Sequence, residues 1–531
     1  MNYLQRALKN VTRKKTKSLL LLLTFFLIGN FVIIGIGIST AAEQAKVLTR
    51  QSMRAVVEYQ IDYEAINELT NSMSESELEE WEKNEGRNIY QIKPEEYNSF
   101  LSDDRVATYN CSNYSTLYLG IEPVKLGNKA EESNNDNSAT ILREGEEIEY
   151  EYKQPNFKLV TNRTPNMIEL YEGTWTITEG RFYTQEEIDN ASPVCVINDQ
   201  VAALNGLSVG DTLTIDYTND YSYMASEGFD LSSLPLKQDF EIIGLYSTVE
   251  TVDQSDERFE WMSTWESPFN KILMPITSYS ASQLDLQEAM WDFYKQQYPD
   301  DPYWQDPANA PTVESMEYVS SIIFLLKDPL DVDGFVADYQ DKLTDNYRMF
   351  NANNDTFKQM ARPLDSIGMY ANVIVAIVVV NAIVIITLVT ALTLKTREYE
   401  IGVLLSIGAS KLKVVMQMFA ELILVALVGF TLSVVSGSMI ASKAGEMLLN
   451  YQVAVDDEYA SEQDNIIYYG GDSYFTEVEQ SDLLENYSVT ISPIIIGEIY
   501  VAGIGIVLLS ILVPSMMIMR FNPKKILTSS L

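Results

Sequence analysis

Four stretches of this chain are so apolar and so long that a lipid bilayer is their natural solvent. A helix needs roughly 20 residues to cross the hydrocarbon core, and a helix satisfies its own backbone there. Ser18 to Ala42 and Ser366 to Leu394 carry no charge. The third run, about Val414 to Ala441, carries only Glu421, and the fourth, about Ile491 to Met519, only Glu498. Basic residues precede the first run and the small residues of "STAAEQA" end it, as in a signal peptide. Its apolar length exceeds the roughly 7–15 residues of a signal core, so a retained span is expected.

Lys and Arg in the short flanking segments set the expected orientation. Residues 1–17, 395–413 and the tail from Arg520 hold 13 basic residues against two acidic ones. Apart from Glu421 and Glu498, everything else holds 24 basic residues against 71 acidic. Both ends are therefore expected in the cytoplasm and the acidic bulk outside. The fold class expected is an α-helical membrane protein with four transmembrane helices and a large extracytoplasmic α+β domain between helices one and two. Its parts are a cytoplasmic amphipathic helix (1–17), spans at 18–42, 366–394, 414–441 and 491–519, and the outer domain (43–365). A cytoplasmic link (395–413), an acidic outer loop (442–490) and a cytoplasmic tail (520–531) complete it.

The formal net charge of −38 speaks against nucleic acid as a partner, because phosphate binding needs clustered Lys and Arg. An acidic exterior is either a solvated surface or an attractor of cationic cargo. The 531 residues include no histidine, which removes Ser-His-Asp catalysis, His-ligated zinc and the usual neutral-pH titrant. No catalytic, cofactor-binding or metal-binding residue is nominated. Cys111 and Cys195 form no CxxC; one outer disulfide or two buried thiols both fit.

Within the outer segment, "EQAKVLTRQSMRAVVEY" is expected to continue the first helix, and "KAEESNNDNSAT" reads as a flexible loop. "SPVCVIND", "DTLTIDY", "FEIIGLYS", "KILMPIT" and "SSIIFLLKD" are short β-branched or aromatic runs bounded by turn residues, hence strands, and "DGFVADYQDKL" reads as a helix. "DYTNDYSYMASEGFDLSSLP" and "YKQQYPDDPYWQDPANAP" are long Tyr-, Asp- and Pro-rich insertions, either plain surface loops or binding surfaces.

The link "KTREYEIGVLLSIGASKLKVV" is unlike an ordinary membrane loop. Ile401, Leu404, Leu405 and Ile407 lie largely along one helical stripe. Gly408 is suited to end that helix, and Ser410 to cap the next. The result is a short helix of roughly 10 Å at ~1.5 Å per residue. It either lies in the membrane interface or docks in a groove on another subunit. In the first helix Leu4, Ala7, Leu8 and Val11 share one face. Gly429, Ser433, Gly437 and Ala441 recur every four residues on span three and permit close helix approach, as a static or a rearranging seam. Glu421 is deep enough to need a polar partner or an aqueous vestibule, and an interhelical hydrogen bond is the favoured reading. Asn30, Asn372 and Asn381 are further candidates to bond across helices.

The stretch "REYEIGVLLSIGASKLKVV" followed by "FAELILVALVG" resembles the FtsX-like permease family, including MacB-type ABC transporters. "EGRFYTQEEIDNASPVCVINDQVAALNGLSVGDTLTI", "FEIIGLY" and "ILMPITSY" resemble the outer core domain of MacB-type proteins. "NYLQRALKNVTRKKTKSLL" and "PSMMIMRFNPKKIL" resemble the family's opening and closing segments, and one span, a large outer domain and three spans is the family order. The 442–490 loop is longer and more acidic than the family pattern. The chain has no GxxxxGK[ST] phosphate loop, so ATP and Mg are expected on a separate ABC ATPase subunit. The resemblance implies that this ATPase grips Glu400, Ile401, Gly402, Leu404, Leu405, Ile407, Gly408, Ala409 and Ser410, and touches Leu4, Leu8 and Val11. It further implies a second permease chain, identical or paralogous, within the membrane lipids. The function implied is mechanotransmission that exports or extracts peptides, lipopeptides or antimicrobial compounds. An FtsX-like regulator of a cell-wall hydrolase, and a receptor or adhesin without an ATPase, are the alternatives.

Overall fold

The computed structural model describes residues 3–520 apart from 82–88, 131–137, 144–145, 152, 223, 225–229, 253, 256, 318, 344–346, 353, 461–473, 476–486 and 490–491. Two compact units result: a helical unit of Met1–Met53 with Asn353–Leu531, and a β-rich unit of Arg54–Ala352. Described helices of eight residues or more are numbered below.

The chain opens with α1 (Tyr3–Arg13), breaks at Lys14 and continues as α2 (Lys15–Ser52). In the β-rich unit come β1 (Val56–Ile61), α3 (Tyr63–Ser72), α4 (Pro94–Leu101), β2 (Val106–Asn110) and β3 (Ser112–Leu117). The hairpin β4 (Ser138–Arg143) and β5 (Glu146–Glu151) precedes β6 (Phe157–Asn162), β7 (Trp175–Gly180), β8 (Val194–Asn198) and β9 (Thr212–Asp216). Then follow β10 (Lys237–Thr248), β11 (Lys271–Pro275), α5 (Ile276–Gln297), β12 (Ser321–Leu326), α6 (Val332–Gln340) and β13 (Arg348–Asn351). The helical unit resumes with α7 (Asn354–Thr396), α8 (Glu398–Ser406), α9 (Lys411–Ala460) and α10 (Pro493–Arg520).

Two main sheets organise the β-rich unit. One is antiparallel, ordered β13-β1-β12-β2; the other is mixed, ordered β3-β6-β11-β8-β10-β7 with β9 on β10. The pairs β6–β11 and β8–β10 are parallel. β8 and β11 are buried at every position, as strands covered on both faces are. The chain crosses from one sheet to the other at Cys111, between β2 and β3, and returns through α5 and residues 298–320. Cys111 and Cys195 are free, buried thiols in separate cores, which decides against the disulfide.

Several expectations need correction. "EQAKVLTRQSMRAVVEY" is helical only to Ser52; its end belongs to β1, where Val56, Val57 and Tyr59 enter the core under the first sheet. In "KAEESNNDNSAT", residues 131–137 lie outside the described residues, and Ser138–Thr140 begin β4. The acidic 442–490 segment starts as helix, because α9 runs on to Ala460.

Among the described residues, four helices of the helical unit are long and apolar enough to cross a membrane: Lys15–Ser52, Ala361–Thr396, Lys411–Tyr451 and Pro493–Arg520. The small-residue stripe of α9 lies against α2. A Cβ built on Gly429 would stand 2.8 Å from the Phe25 Cβ, one on Gly437 2.9 Å from Ile33, and one on Gly37 of α2 3.6 Å from the Ala441 Cβ. Ser433 is fully buried and donates its hydroxyl to the Phe26 carbonyl at 3.0 Å. One turn on, Ser436 donates to Asn30 Oδ1 at 2.8 Å, so Asn30 does bond across helices. Such hydrogen bonds hold helices together where apolar burial offers little. Asn381 behaves differently: it is exposed on α7, and its amide donates to Ile377 O in its own helix. Asn372 is exposed on the same helix.

Candidate coupling site at the basic end of the helical unit

The charges that flank the apolar runs converge on one network. Arg397 stands between α7 and α8, Glu400 lies in the first turn of α8, and Glu421 sits nearly three turns into α9. Arg397 donates Nη1 to Glu421 Oε2 at 2.9 Å and Nε to Glu400 Oε2 at 3.0 Å. From α1, Asn10 donates Nδ2 to Glu421 Oε1 at 2.7 Å, and Gln417, one turn before Glu421, adds a bond to that oxygen at 3.2 Å. Lys14, at the break between α1 and α2, reaches Glu400 Oε1 at 3.3 Å. A closed circuit therefore joins α1, α8 and α9.

The circuit has a strong half and a weak one. The Arg397 and Glu421 side chains are only 11% and 12% exposed, and a charge pair taken from water persists only when its remaining atoms are hydrogen-bonded. The structure meets that demand, since both Glu421 oxygens have donors. Lys14 and Glu400 are 38% and 55% exposed, so their bond contributes at most about 1 kcal/mol. Burial pushes the Glu400 carboxyl upward, and the hydrogen bonds from Arg397 and Lys14 outweigh it, holding the group below its ordinary value. At the start of α9, Lys411 donates Nζ to Met519 O at 2.6 Å, satisfying a carbonyl in the last turn of α10.

Local sequence explains how α8 ends. Ala409 N–H donates to Leu404 O at 3.0 Å and Gly408 N–H to Leu405 O at 3.2 Å, the paired bonds of a Schellman motif. Gly408 takes φ +95°, a left-handed conformation that disfavours side chains with a Cβ. Ser410 Oγ accepts from Lys413 N–H at 3.4 Å as α9 begins. A Cβ on Gly408 would meet no atom within 4 Å, so a substitution there acts through the backbone alone. Gly408→Val is expected to lower stability by about 1–2 kcal/mol and Gly408→Asn by less, read by denaturant unfolding in detergent micelles.

The expected stripe on this helix divides. Ile401 and Gly402 are buried within the chain's own bundle, Ile401 at 5% exposure, and Leu404 and Leu405 are half-buried beside them. These residues point back because helical rotation carries 401, 404 and 405 to one side. Ile407 does not follow: α8 has stopped at Ser406, and Ile407 stands 79% exposed. The outward surface of α8 and its closing turn therefore includes Tyr399, Glu400, Ser406, Ile407 and Gly408, with Ala409 half-buried and Ser410 exposed. Within this chain Ile401 and Gly402 therefore serve as packing residues. On α1 the inward face is Ala7, Asn10 and Val11, whereas Leu8 is 57% exposed; the side chain of Leu4 lies outside the described residues. The turn toward Glu421 is what brings the polar Asn10 inward in place of Leu8. Asn10 and Arg397 were not singled out from sequence. The signal available was an unpaired intramembrane Glu421 with the nearest cations just outside the run.

A family model of the MacB-like periplasmic core domain matches residues 21–341, and one of the FtsX-like permease C-terminal domain matches residues 372–523. YclI, an uncharacterized ABC transporter permease of Bacillus subtilis (strain 168), is 26% identical over 542 residues, covering 99% of each chain. The crystal structure of the periplasmic region of MacB from Actinobacillus actinomycetemcomitans overlays with TM-score 0.26 at 9% identity, covering 58% of this chain and 92% of that one. Since the core-domain match alone spans more than half of the sequence and the permease match takes up most of the remainder, the chain belongs to the FtsX/MacB-like permeases of ABC transporters.

Proposed function

We propose that this permease couples ATP hydrolysis on a separate ABC ATPase to movement of its own β-rich unit, and so exports or extracts peptides, lipopeptides or antimicrobial compounds. The observation that carries this reading is the buried Arg397–Glu421 pair, with Asn10 and Glu400 on either side of it. It links the start of α8, through Arg397 and Glu400, to α1 and α9, so a displacement there is passed to a span. Direct linkage of this kind is what a nucleotide-driven stroke requires. In this reading both ends and α8 lie in the cytoplasm, which the basic flanking segments support, with ATP and Mg on the partner and no catalytic residue in this chain. Tyr399 on α8 and Ile407 at its C-cap are the apolar contacts that the link offers such a partner, at 59% and 79% exposure.

A second permease chain, identical or paralogous, completes the assembly. The apolar stretch of α7 is largely unburied within one chain, and Asn381 lies on that exposed surface. An amide in the membrane is costly against lipid and favours a protein neighbour. Lipid covers the rest.

The test is to purify the chain with its cognate ATPase, with and without Tyr399→Asp plus Ile407→Asp. Both side chains are exposed, so the variant folds. The expected result is loss of the complex and at least a tenfold drop in permease-stimulated ATP hydrolysis. An intact complex with an unchanged rate removes the coupling role.

A further inference from the structure

A cavity of about 1000 Å³ in the β-rich unit lies beside the two crossings between its sheets, with Cys111 at one of them. That volume is at the upper end of small-molecule sites. One wall is aromatic and comes from the last turns of α5 and the insertion after it. Trp304 stacks on Tyr294 at 4.8 Å between ring centroids and lies 5.1 Å from Trp291, while Tyr303 meets Trp304 at 4.8 Å edge-on. The rest of the lining includes Lys93 and Glu95, and Arg163 is paired with Glu317, so the lining carries no net charge. The segment that builds the aromatic wall is far from neutral: residues 285–317 contain eight carboxylates and one lysine.

Aromatic ring faces carry negative quadrupole charge and attract cations. A surrounding acidic field raises the local concentration of cations and lowers that of anions. We propose that this cavity binds an organic cation, an ammonium or guanidinium group on an apolar frame, with its charge against the Trp291, Tyr303 and Trp304 rings. The polar side chains on the walls, Gln91, Gln287 and Thr312 among them, supply partners for amide or hydroxyl groups on the same ligand. The inference deepens the transporter reading by naming the chemistry of what is carried, and relies on that reading only for the word carried.

The test is calorimetric titration of the full chain in an uncharged detergent, without any ATPase. The probes are benzyltrimethylammonium, a short lysine-containing peptide amide and, as neutral control, benzyl alcohol. The expected result is saturable binding of a cation, at least tenfold weaker binding of benzyl alcohol, and at least tenfold loss of cation binding in Trp304→Ala. Tyr303 is 47% exposed, so Tyr303→Leu is a second variant that leaves folding intact and weakens cation binding in the same direction. Binding by the peptide identifies a side-chain cation as the ligand, and binding by benzyltrimethylammonium alone identifies a free amphiphile. Equal affinity for benzyl alcohol, no binding of either cation, or binding indifferent to both ring substitutions overturns the proposal. Because no ATPase is present, a failure here is separate from a failure of the coupling test.

Discussion

Arg397→Ala lowers the unfolding free energy by about 3–5 kcal/mol, the cost of leaving one partner of a buried pair uncompensated. The guanidinium bonds both Glu421 and Glu400. Without it, Glu421 keeps, among the described residues, the hydrogen bonds of Asn10 and Gln417 and the weaker Coulomb attraction of Lys17 at a site that is 12% exposed. The measurement is denaturant unfolding in micelles, followed by intrinsic fluorescence. Arg397→Met combined with Glu421→Met recovers most of the loss, because replacing a whole buried pair by apolar side chains is often neutral. Lys14→Ala, which removes the exposed arm of the same circuit, costs no more than about 1 kcal/mol. Equal effects from Arg397→Ala and Lys14→Ala would show that the pair is not the structural centre of the site. Under the proposed coupling, the double Met variant is expected to fold yet to lower permease-stimulated ATP hydrolysis, which separates stability from coupling.

Gly429→Leu gives the second large effect. Its Cβ alone would stand 2.8 Å from the Phe25 Cβ and 3.2 Å from the Phe26 backbone nitrogen of α2. The backbone of a packed helix cannot give way as a side-chain tip can, so α9 must move off α2. Overpacking of this sort costs about 1–3 kcal/mol, sometimes more. Gly505→Leu on α10 is the control, since a Cβ there meets nothing within 4 Å. Thermal unfolding in micelles should lower the midpoint for Gly429→Leu and leave it nearly unchanged for Gly505→Leu. Similar midpoints for the two would mean that the stripe on α9 is not a close-packed seam.

The helical unit was far more legible in sequence than the β-rich one, for a physical reason. Long apolar runs report directly on their solvent, and the periodic small residues of α9 report on a neighbour; both recur in the structure as α2, α7, α9 and α10 with α9 seated on α2. A strand in a mixed sheet leaves a weaker trace. β6 reads "FKLVTN", yet all six positions are buried, because Lys158 lays its ammonium over the Tyr114 ring at 4.4 Å and Asn162 donates to Asn110 Oδ1 at 3.0 Å. Such partners are set by tertiary structure, and no local pattern announces them. The same holds for the site. Glu421 was recognisable as a group in need of a partner, but Asn10 lies 411 residues away. The stripe on α8 stops short of Ile407, since the Schellman turn ends the helix before that residue joins it.

The points at which the β-rich unit is tethered have a mechanical consequence. Three residues separate α2 from β1, and two separate β13 from α7. Those two strands are antiparallel neighbours, with Glu58 facing Asn351. Traction applied equally through α2 and α7 therefore draws both tethers along together and leaves their ladder intact. Unequal traction would have to shear the ladder, and slippage by one pleat repeat of roughly 6.8 Å would expose its backbone hydrogen bonds. Under the proposed coupling, the tether geometry would therefore filter motion, passing concerted strokes into the sheet and resisting unbalanced ones.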